Sequence, residues 1–162
     1  MVIMITKFPF RNILIVCSVN TARSRMAEGF LREFFSKVNL EVEVFSGGIA
    51  SNARDGMLIS MDAKLAMGEL GINLSEEALS IDLKKYPTLI ENADLILTLT
   101  NKHKEEVYEF FKDDTKKILT VKEFAGENGD IEDPSMKGLE GFRKTRNEII
   151  DCLMKGLNKY EF

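Results

Sequence analysis

Four short, mainly apolar runs divide this chain: Ile13 to Cys17, Val42 to Phe45, Leu95 to Leu99 and Ile118 to Val121. Runs of this length and composition are the pattern of strands covered on both faces, as in parallel sheets. Helix-spaced segments lie between them. Met26, Phe30, Leu31, Phe34 and Phe35 recur at helical spacing and predict a helix from about Ser24 to Val38. A second helix is predicted from about Gly56 to Leu70, closed by Gly71 as its cap. Pro87 restricts Asp82 to Asn92 to short helical pieces. Asn101 to Lys112 reads as a helix with Asn101 as its N-cap, and a last helix runs from about Gly138 to Asn158. Strands alternating with helices predict an α/β fold, a parallel sheet with helices on both faces. In such sheets ligands sit beyond the carboxyl ends of the strands, and Cys17 lies at one such end.

The bulk numbers narrow the picture. At 162 residues the chain makes about one domain, with a core large enough to need no staples. A net charge of −4 and a pI near 5.2 argue against nucleic acid as the main partner. No apolar run approaches the roughly 18 residues of a membrane span, so no membrane partner is expected. Residues 1–11 read as an N-terminal extension, packed on the domain or disordered, rather than as a signal peptide, because Lys7 and Pro9 interrupt them. Residues 12–162 read as a single domain. Two cysteines make no disulfide framework and suggest a reducing, cytoplasmic setting. With one histidine they form no metal-ligand cluster, and neither metal nor cofactor is expected.

The chemistry concentrates in Cys17-Ser18-Val19-Asn20-Thr21-Ala22-Arg23-Ser24. A loop between a strand end and a helix start turns a nest of backbone N–H groups towards one point, where a phosphate-like anion binds. The same positive field favours a thiolate and makes a cysteine nucleophilic. Such a loop can hold a phosphoryl group and attack it. Arg23 offers a planar fork to two equatorial oxygens. Ser24 is placed to hydrogen-bond the Cys17 sulfur, and Asn20 tolerates the left-handed backbone the loop needs. The spacing Cys-x5-Arg is weak by itself; the strand before it and the helix after it carry the argument.

Attack on phosphorus also needs an acid for the leaving group. Asp133, followed by Pro134, is the candidate, since the proline restricts Asp133 towards extended geometry and lets the carboxylate be aimed. It would protonate the leaving atom and then activate water against a phosphocysteine. The alternative is a plain Asp-Pro turn ahead of the last helix.

With Cys17 to Ser24, Met26-Ala27-Glu28, Ser46-Gly47-Gly48 and Asp133-Pro134 in view, nearly the whole chain from Asn12 onward resembles the low-molecular-weight protein tyrosine phosphatase superfamily. That superfamily includes protein arginine phosphatases and thioredoxin-coupled arsenate reductases. The resemblance implies a four-stranded parallel sheet, Cys17 as nucleophile and Asp133 as general acid. It also implies a phosphate loop of Ser18, Val19, Asn20, Thr21, Ala22 and Arg23, with Ser46 supporting Asn20. The implied activity is hydrolysis of phosphotyrosine in phosphorylated protein substrates, through a phosphocysteine intermediate.

The departures concern the substrate. Relatives usually carry glycine at Val19, a second cysteine at Ala22 and proline at Arg25. The wording around Arg23 leans towards arsenate reductases, but their resolving cysteines should follow the third strand. Thr98 and Thr100 stand there instead. Cys152 shares an apolar stripe with Phe142, Ile149 and Leu153, so burial is expected and hydrolysis is favoured over redox chemistry. Tyrosine phosphatases place aromatic residues after the Asp-Pro, where this chain has Ser135 and Met136. Thr21 matches a threonine associated with phosphoarginine preference, and protein arginine phosphatase is the principal alternative. Ile49, Tyr86 and Phe124 are candidates for the missing pocket wall. A further alternative is an inactive phosphoprotein-binding module. Arg25 has two readings: a solvent-facing helix residue, which is favoured, or a charge at the loop mouth that attracts acidic phosphopeptides. His103, within Asn101-Lys102-His103-Lys104, is expected to face solvent. Met57, Met61 and Met67 read as core filling and surface scatter, and the lysines from Lys102 to Lys122 as a solvated face.

Overall fold

The structure is a computed structural model that describes residues 6–162. Thr6–Lys7 forms β1 and Asn12–Cys17 forms β2; Arg23–Lys37 is α1 and Glu43–Gly48 is β3. Met61–Gly68 is α2, a 3-10 turn spans Leu83–Lys85, and Pro87–Asn92 is α3. Then follow β4 (Leu95–Thr98), α4 (Asn101–Phe110), β5 (Ile118–Thr120), α5 (Val121–Phe124), α6 (Gly138–Leu157) and β6 (Tyr160–Glu161). The main sheet has the order β3-β2-β4-β5, with every neighbouring pair parallel. The four apolar runs therefore become its four strands.

Period-two alternation along β2 explains the two cores. Ile13, Ile15 and Cys17 face a cluster that includes Met26, Leu31 and Phe35 of α1 and Ile149, Cys152 and Leu153 of α6. Leu14 and Val16 face the opposite cluster, with Ile90 of α3 and Val107 of α4. Cys152 is buried as its stripe predicts. From β2 the chain runs outward to β3 and then returns across to β4. The sheet's switch point therefore lies at the carboxyl ends of β2 and β4, where a doubly wound sheet opens a crevice.

Two expectations need correction. The second helix begins at Met61 rather than Gly56, because 50–60 is a loop tied to the first helix's approach: Ser60 N–H donates to Thr21 O at 2.9 Å. Ser60 then caps the helix through its hydroxyl, accepting from Ala63 N–H. The cap of α4 is Thr100, whose hydroxyl accepts from His103 N–H, and not Asn101. The segment Asp82 to Asn92 does break into short pieces, with Pro87 at the start of α3. Within the N-terminal extension, residues 1–5 lie outside the described residues. β1 pairs with β6, and Phe8 and Phe10 are buried against the body of the fold.

Candidate active site

Cys17 ends β2, and the seven residues that follow wrap around its sulfur. Asn20 N–H donates to Cys17 Sγ at 3.3 Å, and Ser24 Oγ lies 2.9 Å from the same atom. Asn20 takes φ = 65°, the left-handed conformation that turns the loop. The first residue of α1 is Arg23, and its N-cap Ala22 has no side-chain oxygen to satisfy the helix's leading N–H groups. Among the described residues, the N–H groups of Val19, Thr21, Ala22 and Arg23 have no protein acceptor. Together with the helix dipole they form a concave anion site over the thiol.

The loop is pressed against β3. Ile49 N–H donates to Cys17 O and Ala50 N–H to Ser18 O, each at 3.1 Å. A Cβ on Gly48 would stand 2.6 Å from Ser18 O and 2.9 Å from Val19 Cα, so glycine is what permits this approach.

A buried polar chain fixes which way the hydrogens point. Ile81 N–H donates to Asn20 Oδ1 at 3.0 Å, so Asn20 Nδ2 must be the atom facing Ser24 and Ser46, at 2.8 and 2.9 Å. Ser46 in turn donates to the Glu28 carboxylate at 2.9 Å. Ser24 accepts from Asn20, which leaves its own O–H to donate to the Cys17 sulfur. A thiolate is thereby stabilised by a hydroxyl whose orientation is set from both ends of the chain. Ser24 and Ser46, the two expected supporting residues, both lie in this chain.

Arg23 is buried, and Nη1 donates to Ile131 O at 2.7 Å, which ties the guanidinium to the loop carrying Asp133. That loop is seated on the sheet by Ile131 N–H donating to Leu99 O at 2.9 Å, just past β4. Asp133 Oδ1 accepts from Ser135 N–H at 3.0 Å and from Ser135 Oγ at 2.7 Å. Burial raises the Asp133 pKa, but those two hydrogen bonds and the charge of Arg23 outweigh it, so the carboxyl lies below the ordinary aspartate range.

His103 faces the site rather than solvent, contrary to expectation. It is only 2 % exposed, and its Nε2 lies 2.8 Å from Ser18 Oγ in the phosphate loop. Its Nδ1 is buried and has no partner among the described residues. A buried lone pair costs less than a buried N–H, so the better tautomer carries the proton on Nε2 and donates to Ser18. Burial first, and then the charge of Arg23, push its pKa down to about 4. The polar neighbours Lys102 and Lys104 conceal the inward turn that Thr100 imposes by capping α4.

Arg25 is likewise buried rather than exposed: it reaches Glu28 at 3.0 Å, Asn20 O at 3.4 Å and Leu79 O. Of the three wall candidates, Ile49 and Phe124 are buried in the two cores, and Tyr86 donates its hydroxyl to Asp55. Met136, two residues after Pro134, is fully exposed. Beside the loop, Val19, Thr21, Asn52, Arg54, Met57 and Leu58 line an open groove of about 460 Å³.

A family model described as low molecular weight phosphotyrosine protein phosphatase matches residues 12–160. A protein-arginine-phosphatase of Geobacillus stearothermophilus is 37% identical over 153 residues, covering 92% of this chain and 97% of its own length. The low molecular weight protein-tyrosine-phosphatase PtpB of Staphylococcus haemolyticus is 30% identical over 143 residues, covering 88% and 95%. The solved low molecular weight protein tyrosine phosphatase of T. tengcongensis superposes with a TM-score of 0.83 at 31% identity, covering 92% of this chain and 99% of that one. Likeness over nearly the full length, with a cysteine cradled at the sheet's switch point, shows that this chain is a cysteine-based phosphatase and belongs to the low molecular weight phosphotyrosine protein phosphatase family.

Proposed function

We propose that the chain dephosphorylates protein side chains through a Cys17 phosphoenzyme, with phosphoarginine as its preferred substrate. The thiolate attacks phosphorus in line with the leaving atom, while Arg23 and the loop N–H groups stabilise the equatorial oxygens. The Ser18 hydroxyl, held by His103, adds a donor at the loop's first turn. Asp133 assists departure of the leaving group and then directs water at the phosphocysteine, and Ser24 supports the thiolate as it is released.

The observation that carries the substrate preference is the rim at Asp133. The carboxyl is held towards its ionised form by Ser135 and Arg23, and no aromatic residue follows Pro134. A phenyl ring needs apolar walls, and a phenolate leaving group needs a ready proton donor. The guanidino group of phosphoarginine enters already protonated and cationic, so it can depart as a neutral guanidine without a proton from Asp133, and a carboxylate is the natural partner of that cation. Similarity to a protein-arginine-phosphatase supports the same reading. Phosphotyrosine remains the second reading, favoured by the groove beside Val19 and Thr21, where Met57 and Leu58 offer an apolar surface.

Arsenate reduction is disfavoured because Thr98 and Thr100 use hydroxyls, bonded locally, where a resolving thiol would be needed. The deciding experiment is turnover of matched peptides bearing phosphoarginine or phosphotyrosine, by the wild type and by Cys17→Ser. Faster hydrolysis of phosphoarginine, abolished by Cys17→Ser, is expected. Faster phosphotyrosine turnover would reverse the substrate preference, and activity surviving in Cys17→Ser would defeat the mechanism.

A further inference from the structure

Arg25 stands at the third position of α1, one residue beyond the Ser24 that touches the nucleophile. Its side chain is 8% exposed, and each part of the guanidinium has an acceptor. Nη1 pairs with Glu28 Oε1 at 3.0 Å, Nε donates to the backbone carbonyl of Asn20 at 3.4 Å, and Nη2 donates to the carbonyl of Leu79. These three partners come from different parts of the chain: the helix, the phosphate loop and the segment that precedes the 3-10 turn.

That last segment matters because it also supplies Ile81 N–H, the donor that fixes the Asn20 side-chain amide. Leu79 and Ile81 therefore grip the same loop residue from two sides, one directly and one through Arg25. Asn20 ends with its N–H, its carbonyl, its Oδ1 and both Nδ2 hydrogens engaged. It is also the loop residue at φ = 65°, a left-handed conformation that asparagine tolerates and that these bonds hold in place. Glu28 closes the circuit, since the carboxylate that receives Arg25 also receives Ser46, which receives Asn20.

We propose that Arg25 is a positioning residue of the phosphate loop, clamping the Leu79 to Ile81 segment onto Asn20 and so holding the loop in its anion-binding shape before substrate arrives. The inference rests on the proposed role of the loop, but its test reads loop geometry separately from turnover. A lysine cannot reproduce it, because one ammonium on a flexible stem does not span three acceptors in a plane.

The test uses Arg25→Pro, Arg25→Lys and, as a control for stability alone, Ile90→Val in the opposite core. Proline is tolerated in a helix's first turn, and Arg25 N–H has no acceptor among the described residues, so Arg25→Pro removes the clamp with little backbone cost. Glu28 keeps Arg32 and Ser46 as partners. Two quantities are measured: the inorganic phosphate concentration that halves iodoacetamide modification of Cys17, and kcat/KM on para-nitrophenyl phosphate.

Arg25→Pro is expected to raise the protecting phosphate concentration about tenfold and to lower kcat/KM about tenfold, the scale of one lost charged hydrogen bond. Arg25→Lys should fall between it and the wild type, and Ile90→Val should leave both quantities unchanged. Wild-type protection and turnover in Arg25→Pro, or equal losses in Ile90→Val, would overturn the clamp. Should Arg25→Pro fail to fold, Arg25→Lys decides: wild-type values there refute it. Absence of phosphate protection in the wild type would remove the anion site itself, and the clamp with it. Normal protection with no turnover would instead count against the catalytic reading alone.

Discussion

His103 sits where a charge would be costly. Its ring is buried beside the Arg23 guanidinium, with Asp130 and Asp133 near enough to oppose that field only in part. Protonating it in the folded state is correspondingly hard. The unfolded chain takes up that proton near the ordinary histidine pKa of 6.5, the folded chain only near about 4. Above pH 6.5 both states are neutral and stability is complete. As the pH falls from 6.5 towards 4 the unfolded state gains protons that the folded state refuses, and stability is lost, by up to about 3 kcal/mol. Urea unfolding at pH 7, 5.5 and 4 should show this loss in the wild type. His103→Gln keeps a donor for Ser18 but does not titrate, so its curve should fall less steeply over the same range. Parallel curves for the two proteins would remove His103 as the source. Sequence pattern misplaces this residue, because Lys102, Lys104 and Glu105 surround it with solvent-seeking side chains. The same limit applies to Arg25: its burial depends on three acceptors that only the fold assembles. Cys17, Arg23 and Ser24 were legible because strand, loop and helix signals converge on consecutive residues.

At the scale of elements, the site is an encounter between β2's end, the start of α1 and the end of β3. The strands were readable from apolar runs, and α1 and α6 from helical stripes. The 50–60 segment was not, because Ile59 extends the helical spacing of Ala63, Ala66 and Met67 while the segment's backbone is committed to the phosphate loop through Thr21 O. Gly48 is where β3 meets that loop most closely. Alanine there would drive a methyl group against Ser18 O and Val19 Cα, both backbone atoms with no rotamer to yield. Since Ile49 and Ala50 bond the carbonyls of Cys17 and Ser18, the displacement passes directly to the nucleophile. Gly48→Ala should lower kcat/KM by at least about tenfold, because misplaced reacting groups lose orientation more readily than binding. Circular dichroism should show the fold retained. Steady-state kinetics at wild-type values would mean that the loop can retreat without consequence.

Across the whole molecule, stability and chemistry are gathered at opposite ends of the sheet. Cys17 lies at the carboxyl end of β2, whereas the segment leading into its amino end brings Phe8 and Phe10 into the core. Phe8 is the hub of an aromatic cluster, with ring centroids 5.3 Å from Phe10, 5.2 Å from Phe35, 5.1 Å from Tyr160 and 5.5 Å from Phe162. Pairing of β1 with β6 fastens the same corner, so both ends of the described chain meet there. The six residues of β2 span about 17 Å at the ordinary strand rise, which separates this corner from the anion site. Truncating Phe8 removes a buried ring and leaves a cavity among partners fixed on α1 and the C-terminal segment, a loss of roughly 3 kcal/mol. Phe8→Ala should therefore lower Tm by several degrees, while kcat/KM measured well below the new Tm stays within about twofold of wild type. A loss of kcat/KM in fully folded Phe8→Ala protein would show that the corner is coupled to the phosphate loop, through α1, and that residues 6–11 belong to the working domain rather than to an extension of it.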